Sequence, residues 1–282
     1  MKLFRHLFIT SFIGFCLIVF LLAIYLELFT NNFQWLLRGT FVSSSVVLFF
    51  FGNLFLRPIA RTKKHLIPHI IIILFGVLSS LYYCVNDNNF IDLALSITIF
   101  IGWMIYQYSF SIFNKRENNN LLKVGLRIPN FPIQKTDKTQ IYSHDFLGSP
   151  MIILFYRGNW CPFCMAQIKE IAAQYQELEK RGAKILLISN QPHEYSESLN
   201  KKFNINLHFL VDYQNVAAKQ LGIDAEFGIP GGFQVLGYDS DTAMPTLIIT
   251  DATGKILFAD LTDNYRVRPE PDIFLKILDN QL

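Results

Sequence analysis

Cysteine is scarce in this chain, four residues in 282, which excludes a disulfide framework. The one closely spaced pair is Cys161 and Cys164. No second Cys pair or Cys/His pair follows at finger-like spacing, so a structural zinc site lacks its ligands and no metal is expected. Charge is also missing where it would matter. Four apolar stretches, about Leu7–Phe29, Gly39–Leu56, Leu66–Val85 and Phe90–Phe113, hold no Asp, Glu, Lys or Arg away from their ends; Glu27 and Asp92 sit at edges. Carriers of ions or protons place such groups inside the bilayer, so these stretches read as an anchor or a partner-docking module. A large basic excess is absent as well: the net charge is only +3, all of the excess flanks the apolar half, and nothing supports nucleic-acid binding.

What is present begins with hydrophobicity. A hydrophobic share of 51% and a mean hydropathy of +0.30 are high for a soluble protein, and the length suits two domains. Each apolar stretch has the ~18 or more residues needed to cross a bilayer as a helix. The first is too long for a removable signal peptide and lacks a small-x-small cleavage pattern, so it is expected to remain as a span. Residues 1–123 carry ten Lys/Arg against four Asp/Glu, leaving fifteen against eighteen of the totals of 25 and 22 for residues 124–282.

The bases alternate along the chain. Lys2 and Arg5 precede the first span, and Arg57, Arg61, Lys63 and Lys64 lie between the second and third. Lys115, Arg116 and Lys123 follow the fourth, whereas Thr30–Gln34 and Asn86–Asn89 carry no base. The expectation is a multi-pass protein of a bacterial-type inner membrane, with both termini cytoplasmic and membrane lipid as a partner. Arg38, at the outer edge of span two, is the exception and can snorkel. Cys16 and Cys84 read as lipid-buried small residues at different depths. His65 and His69 bracket Pro68 at a helix start and make a poor metal or haem pair. Residues 114–123 are polar and short, a linker.

From Val124 the pattern becomes that of an α/β domain. Phe131–Lys135 and Gln140–Tyr142 flank a turn, and Met151–Tyr156 is a continuous apolar run, a strand buried on both faces. A helix runs from Cys161 to about Lys180, with Gly182 as its stop. Ala183–Ser189 and Leu207–Val211 are strands alternating with helices near His193–Phe203 and Asn215–Leu221. Gly222–Thr242 is glycine-rich and irregular. Thr246–Thr250 and Ile256–Leu261 form a hairpin, and Pro271–Leu282 a last helix. The whole predicts a mixed sheet with helices on both faces.

The chemistry concentrates in Phe155-Tyr156-Arg157-Gly158-Asn159-Trp160-Cys161-Pro162-Phe163-Cys164. Pro162 suits the first helical position, which puts Cys161 at a helix N-terminus. Unpaired N–H groups and the macrodipole there favour an anion, so Cys161 is expected to have a lowered pKa and to be the attacking sulfur. Cys164, three residues on, lies on the same face and can close a disulfide. Arg157 adds positive potential beside Cys161 or is a solvated loop charge, and Trp160 is an apolar wall or ordinary core. His193 and His208 read as surface residues. The duller readings of the pair, buried small hydrophobes or a structural disulfide across a tiny loop, explain the Trp, the helix start and the preceding strand less well.

Residues 124–282 resemble the thioredoxin-fold redoxins, and among them the AhpC/TSA, peroxiredoxin-like group. The likeness rests on Val124-Gly125, Pro129-Asn130-Phe131, the run Phe155–Cys164, Met244-Pro245-Thr246-Leu247-Ile248-Ile249 and Asp251-Ala252-Thr253-Gly254-Lys255-Ile256. It implies an α/β thioredoxin-like fold, preceded here by four apolar helices, and a cis peptide bond before Pro245 facing the dithiol. The chain also departs from that group. Aligned on Phe155-Tyr156, Arg157 stands where peroxiredoxins have Pro, Cys161 where they have Thr, and Cys164 at the peroxide-reacting position. Met244 replaces an Arg, leaving Arg157 or Arg268 to take its place. The expected activity is therefore thiol–disulfide exchange through Cys161 and Cys164, with Trp160, Pro162, Pro245 and Arg157 supporting. The alternatives are a thiol peroxidase of the same fold and a non-enzymatic, redox-sensing membrane scaffold. Implied partners are a disulfide or hydroperoxide substrate and a thiol reductant, with no cofactor.

Overall fold

The computed structural model describes residues 2–30, 38–87, 90–113, 116 and 119–280. Residues 31–34, 88 and 89 of the two base-free loops, Lys115 and three further linker positions, and the last two residues of the expected C-terminal helix lie outside them. So do the side chains of Lys2, Arg5 and Glu27. The chain divides into two compact units: residues 7–58 with 63–112, and residues 1–6, 59–62 and 113–282.

The first unit is helical. It holds α1 (Lys2–Thr30) from Leu7 onward, α2 (Gly39–Leu56), α3 (Ile67–Asp87) and α4 (Phe90–Ile105), which ends in a π-helical turn, Tyr106–Phe110. Four stretches are long and apolar enough to cross a membrane: His6–Leu26, Gly39–Leu56, Ile67–Asn86 and Phe90–Phe110. Small residues let the helices close on one another. A Cβ on Gly39 would stand 1.7 Å from the Gly76 carbonyl oxygen, and Ser43 donates to the Ile73 carbonyl at 3.3 Å. Asp92, expected at a span edge, is buried and accepts hydrogen bonds from Thr40 and, at 2.7 Å, from Ser80. His69 stacks on Trp103, and Cys16 and Cys84 are buried free thiols.

The second unit is built on a seven-stranded sheet, which is mixed as predicted. Its strands are β1 (Pro132–Gln134), β2 (Gln140–Tyr142), β3 (Met151–Phe155), β4 (Lys184–Ser189), β5 (His208–Val211), β8 (Thr246–Thr250) and β9 (Ile256–Asp260). They stand in the order β2-β1-β5-β4-β3-β8-β9. β3 runs parallel to β4 and β4 to β5, while β8 lies antiparallel to β3, pairing Phe155 with Thr246. A separate short pair, β6 (Asp224–Ala225) and β7 (Thr242–Ala243), bounds the irregular region.

Every residue of β3 is buried, so both sheet faces are covered. Met151, Ile153 and Phe155 join Leu186, Ile188, Leu210 and Ile248 in the main core with Ala217, Ala218 and Leu221. The last three belong to or follow α8 (Val216–Gln220). Leu122, assigned to the linker on composition, is also part of that core.

Helix α7 (His193–Phe203) has the predicted limits and ends at Asn204 in the left-handed region. The long helix expected after Cys161 is instead α5 (Pro162–Ala173) and α6 (Tyr175–Lys180), interrupted where Gln174 leaves helical geometry at φ −96°, ψ 4°. The last helix, α9, spans Asp272–Asp279.

The contact at Gly39 makes a test within one helix. Gly39→Leu is expected to lower the thermal midpoint of the purified full-length protein, since overpacking costs ~1–3 kcal/mol or more. Gly52→Leu, where a Cβ meets nothing within 4 Å, is expected to hold or raise it. Equal midpoints for the two variants would contradict the close approach of α2 and α3.

Candidate active site

The sheet delivers the site at the carboxyl end of β3. Tyr156 still bonds to β4 through its N–H and the Ile188 carbonyl at 2.9 Å, and the chain then turns sharply. Gly158 makes that turn with φ +143°, and a Cβ there would stand 2.7 Å from the Trp160 Nε1. Cys161 is the N-cap of α5 in extended conformation (φ −88°, ψ 109°), with Pro162 in the first turn. Cys164 lies inside the helix. Both sulfurs are reduced and nearly dry, at 2% and 0% exposure for Cys161 and Cys164.

One cation contacts one of the two sulfurs. Arg268, between β9 and α9, extends Nη2 to 3.5 Å from Cys164 Sγ. The rest of its guanidinium is fixed by Nη1 donating to Gln167 Oε1 at 2.6 Å and Nε to the Tyr265 carbonyl at 3.0 Å. Gln167 lies one turn beyond Cys164 on α5, so a single helix face presents both the sulfur and the group that orients its partner.

Burial works against a thiolate at Cys164. The Cys161 thiol as donor, the Arg268 charge and hydrogen bond and the Arg157 backbone N–H together outweigh it and hold the pKa well below the ordinary thiol value. Cys161 is shifted the other way. Burial pushes it well above that value, and the hydrogen bond and charge of Cys164 add to the rise against weaker opposition from Arg268 and Arg157. Arg268 loses solvation too, yet the two sulfurs raise its pKa further.

The expectation of a low-pKa Cys161 is therefore corrected. The helix N-terminus is where it was placed, but a local dipole in a dry turn is weaker than a guanidinium touching the other sulfur.

The supporting residues fall around this pair. Arg157 is buried rather than solvated, its guanidinium 4.7 Å from the Trp160 ring and 5.3 Å from the Tyr265 ring, with Nη2 donating to the Gly228 carbonyl. Trp160 packs on Phe233 at 5.2 Å, which makes it the apolar wall of the turn. Pro245 is buried beside Thr246, and its carbonyl accepts from Arg116 at 2.9 Å. None of the described peptide bonds is cis, so the Met244–Pro245 bond is trans, against the resemblance. The Pro245 carbonyl is spoken for by Arg116, which also donates to Thr246 Oγ1 at 2.6 Å and pins this strand entry.

His193 bonds to Gln134, and His208 packs on Phe146; neither meets the dithiol through these contacts. Among the described residues no cluster of His, Cys, Asp and Glu could hold a metal ion. Gln167, Tyr265 and Gln191 were not foreseen. Gln191 bridges the turn through its Oε1, which accepts from Asn159 N–H at 2.8 Å, and its Nε2, which donates to the Tyr156 hydroxyl at 3.0 Å. No sequence spacing marks a buried amide of this kind, since its partners come from separate elements.

Residues 124–259 match the model of the AhpC/TSA family. The chain is 27% identical over 118 residues to a putative chloroplastic peroxiredoxin Q of Oryza sativa subsp. indica, covering 42% of this chain and 54% of that protein. It is 27% identical over 159 residues to peroxiredoxin Bcp of Escherichia coli strain K12, covering 56% of this chain and 97% of that protein. The chain thus spans little more than half the plant relative and nearly all of the bacterial one. Among solved structures, peroxidoxin BcpB of Mycobacterium tuberculosis aligns with a TM-score of 0.46 at 18% identity, over 56% of this chain and 97% of that one. Its mixed sheet, its dithiol turn capping a helix and the family-model match over residues 124–259 make this domain similar to the AhpC/TSA family.

Proposed function

We propose that the chain is a membrane-anchored, thiol-dependent peroxidase in which Cys164 is the nucleophile and Cys161 the resolving thiol. The observation that carries the assignment is the Arg268 guanidinium on Cys164 Sγ. The Cys164 thiolate attacks a hydroperoxide, ROOH, at the distal oxygen. The O–O bond breaks, Cys164 becomes a sulfenic acid, and the departing alkoxide takes a proton to leave as ROH. The Cys161 sulfur, already hydrogen-bonded to Cys164, then displaces the sulfenic oxygen as water and closes the disulfide. An external dithiol returns both cysteines to thiols. Arg268 has a second use in the first step, because the same cation that stabilises the thiolate also faces the oxygen charge that develops as the O–O bond lengthens. The four apolar stretches and the alternation of Lys and Arg support the anchoring, with the dithiol on the cytoplasmic side.

A second reading, thiol–disulfide exchange, is supported by Cys161 at the N-cap of a Cys-Pro-Phe-Cys turn. The two readings separate on cysteine variants. Cys164→Ser is expected to abolish peroxide consumption. Cys161→Ser is expected to consume about one equivalent per chain, leave a sulfenic acid that a dimedone probe labels, and fail to turn over with dithiothreitol. A Cys161→Ser enzyme that is silent to peroxide, beside a Cys164→Ser enzyme that traps protein disulfides, would establish exchange through Cys161 instead.

The pH profile tests the cation. A depressed Cys164 pKa keeps the attacking thiolate populated above that pKa, so the rate is expected to stay flat from pH 8 downward and to fall only as pH drops through it. Arg268→Met is expected to lower the peroxide rate about ten- to a hundred-fold at pH 7, the loss of a charge-assisted contact of ~1.5–3 kcal/mol. It should also move the inflection up toward the ordinary thiol range. An unmoved inflection in stopped-flow peroxide consumption would remove Arg268 from this role.

A further inference from the structure

The segment Ile229-Pro230-Gly231-Gly232-Phe233-Gln234-Val235-Leu236-Gly237-Tyr238 carries no charged side chain. At its centre is a single 3₁₀ turn, Phe233–Leu236, set between Gly232 at φ +102° and Gly237 at φ +84°. The turn throws two apolar side chains outward: Val235 is 88% exposed and Leu236 55%. No described large hydrophobic side chain is more exposed than Val235.

Singly exposed apolar residues are ordinary on protein surfaces, but two features set this tip apart. The first is that its inner side is held. Phe233 rests on Trp160 at 5.2 Å and on Tyr238 at 6.1 Å. The Tyr195 hydroxyl donates to the Leu236 carbonyl at 2.9 Å, and the Tyr238 hydroxyl donates to Asn159. A tip held this way keeps its apolar side chains in water unless something covers them.

The second feature identifies the cover. The base of the loop is bonded to His6: Gly231 N–H donates to the His6 carbonyl at 2.7 Å, and His6 Nδ1 lies 2.7 Å from the Ile229 carbonyl oxygen. The His6 ring also packs edge-on against Phe227 at 5.9 Å. His6 is the first residue of His6–Leu26, the first stretch long and apolar enough to cross a membrane. An uncharged loop with an apolar tip is thus tied to the residue at which the chain would enter lipid.

We propose that the Ile229–Tyr238 loop is an interfacial anchor, with Val235 and Leu236 inserted among the acyl chains at the surface of the bilayer that holds the protein. The occupant of the tip is phospholipid, and through Phe233 and Trp160 the anchor sets the wall of the dithiol turn beside the lipid phase. The inference rests on the membrane anchoring proposed above.

Photo-crosslinking tests it on the full chain in vesicles of phosphatidylethanolamine and phosphatidylglycerol. p-Benzoylphenylalanine is placed singly at Val235, at Leu236 and, as a control, at Lys201. Lys201 lines the surface beside His208 at the start of β5, the sheet end opposite the dithiol, and its side chain is 74% exposed. Irradiation is expected to give phospholipid adducts by mass spectrometry from positions 235 and 236 and none from 201. Absence of lipid adducts at 235 and 236, or adducts equal to those at 201, in vesicles that retain the chain through an alkaline carbonate wash would overturn the anchor alone. Release of the chain by carbonate would overturn the membrane reading and the anchor with it.

Discussion

The contact between Arg268 and Cys164 is the constraint from which the rest of the site follows. A sulfur without solvent exposure cannot hold a negative charge unless a fixed partner replaces water, and a buried guanidinium cannot hold its own charge without acceptors for its donors. Each group meets the other's need, and Arg268 Nε and Nη1 donate in addition to the Tyr265 carbonyl and Gln167. Because Gln167 and Cys164 share α5, the helix cannot rotate or slide without breaking two contacts at once. The pair thereby fixes the register between the first helix after β3 and the segment after β9.

That segment is itself braced from distant parts of the chain. Thr62 N–H donates to the Arg266 carbonyl at 2.8 Å, and Arg266 Nη1 returns a bond to Thr62 Oγ1 at 2.9 Å. Arg61 reaches Glu170 on α5 and, at 2.8 Å, Glu270 just beyond Arg268. Phe113 N–H donates to the Asp263 carbonyl at 2.6 Å, while Arg116 gathers the carbonyls of Pro245, Asp260 and Thr262. Residues 59–62, Phe113 and Arg116 flank apolar helices in the sequence, yet they are structural members of the second unit. Basic residues counted for their value in orienting a membrane protein thus have a second use as hydrogen-bond donors to the irregular stretch that carries Arg268.

What the sequence made legible was whatever depends on neighbours along the chain. The uninterrupted apolar run of β3, the limits of α7 between Pro192 and a left-handed Asn204, and the Cys161–Pro162 helix start all follow from local rules, and all are present. The break at Gln174 was not legible, because Gln, Tyr and Glu around it are compatible with an unbroken helix. The assignment of the ionised sulfur failed for a related reason. The helix-terminus argument used only residues 161–164, whereas the outcome depends on Arg268, more than a hundred positions away, and on how dry the turn is. Arg268 had been named beside Arg157 as a replacement for the Arg that Met244 displaces. Only the fold separates them: Arg157 turns its guanidinium to Trp160, Tyr265 and Gly228, while Arg268 turns its own to the sulfur.

The same geometry bears on the oxidised state under the proposed cycle. Closing the disulfide converts Cys164 from an anion to a neutral sulfur, but Arg268 remains buried and charged. It then keeps two neutral acceptors, the Tyr265 carbonyl and Gln167 Oε1, and the more distant charge of Asp260, but loses the anion that contributes most against its desolvation. Arg157 stays flanked by aromatic faces in both states, so it does not compensate for the change. The dithiol form is stabilised selectively, and a disulfide whose reduced form is so favoured is readily reduced by an incoming thiol. In a peroxidase this has a definite use. The O–O bond supplies ample driving force for oxidation whatever the dithiol's potential, so the step that needs help is reduction. A buried cation that disfavours the disulfide assists that step and activates the nucleophile by the same contact.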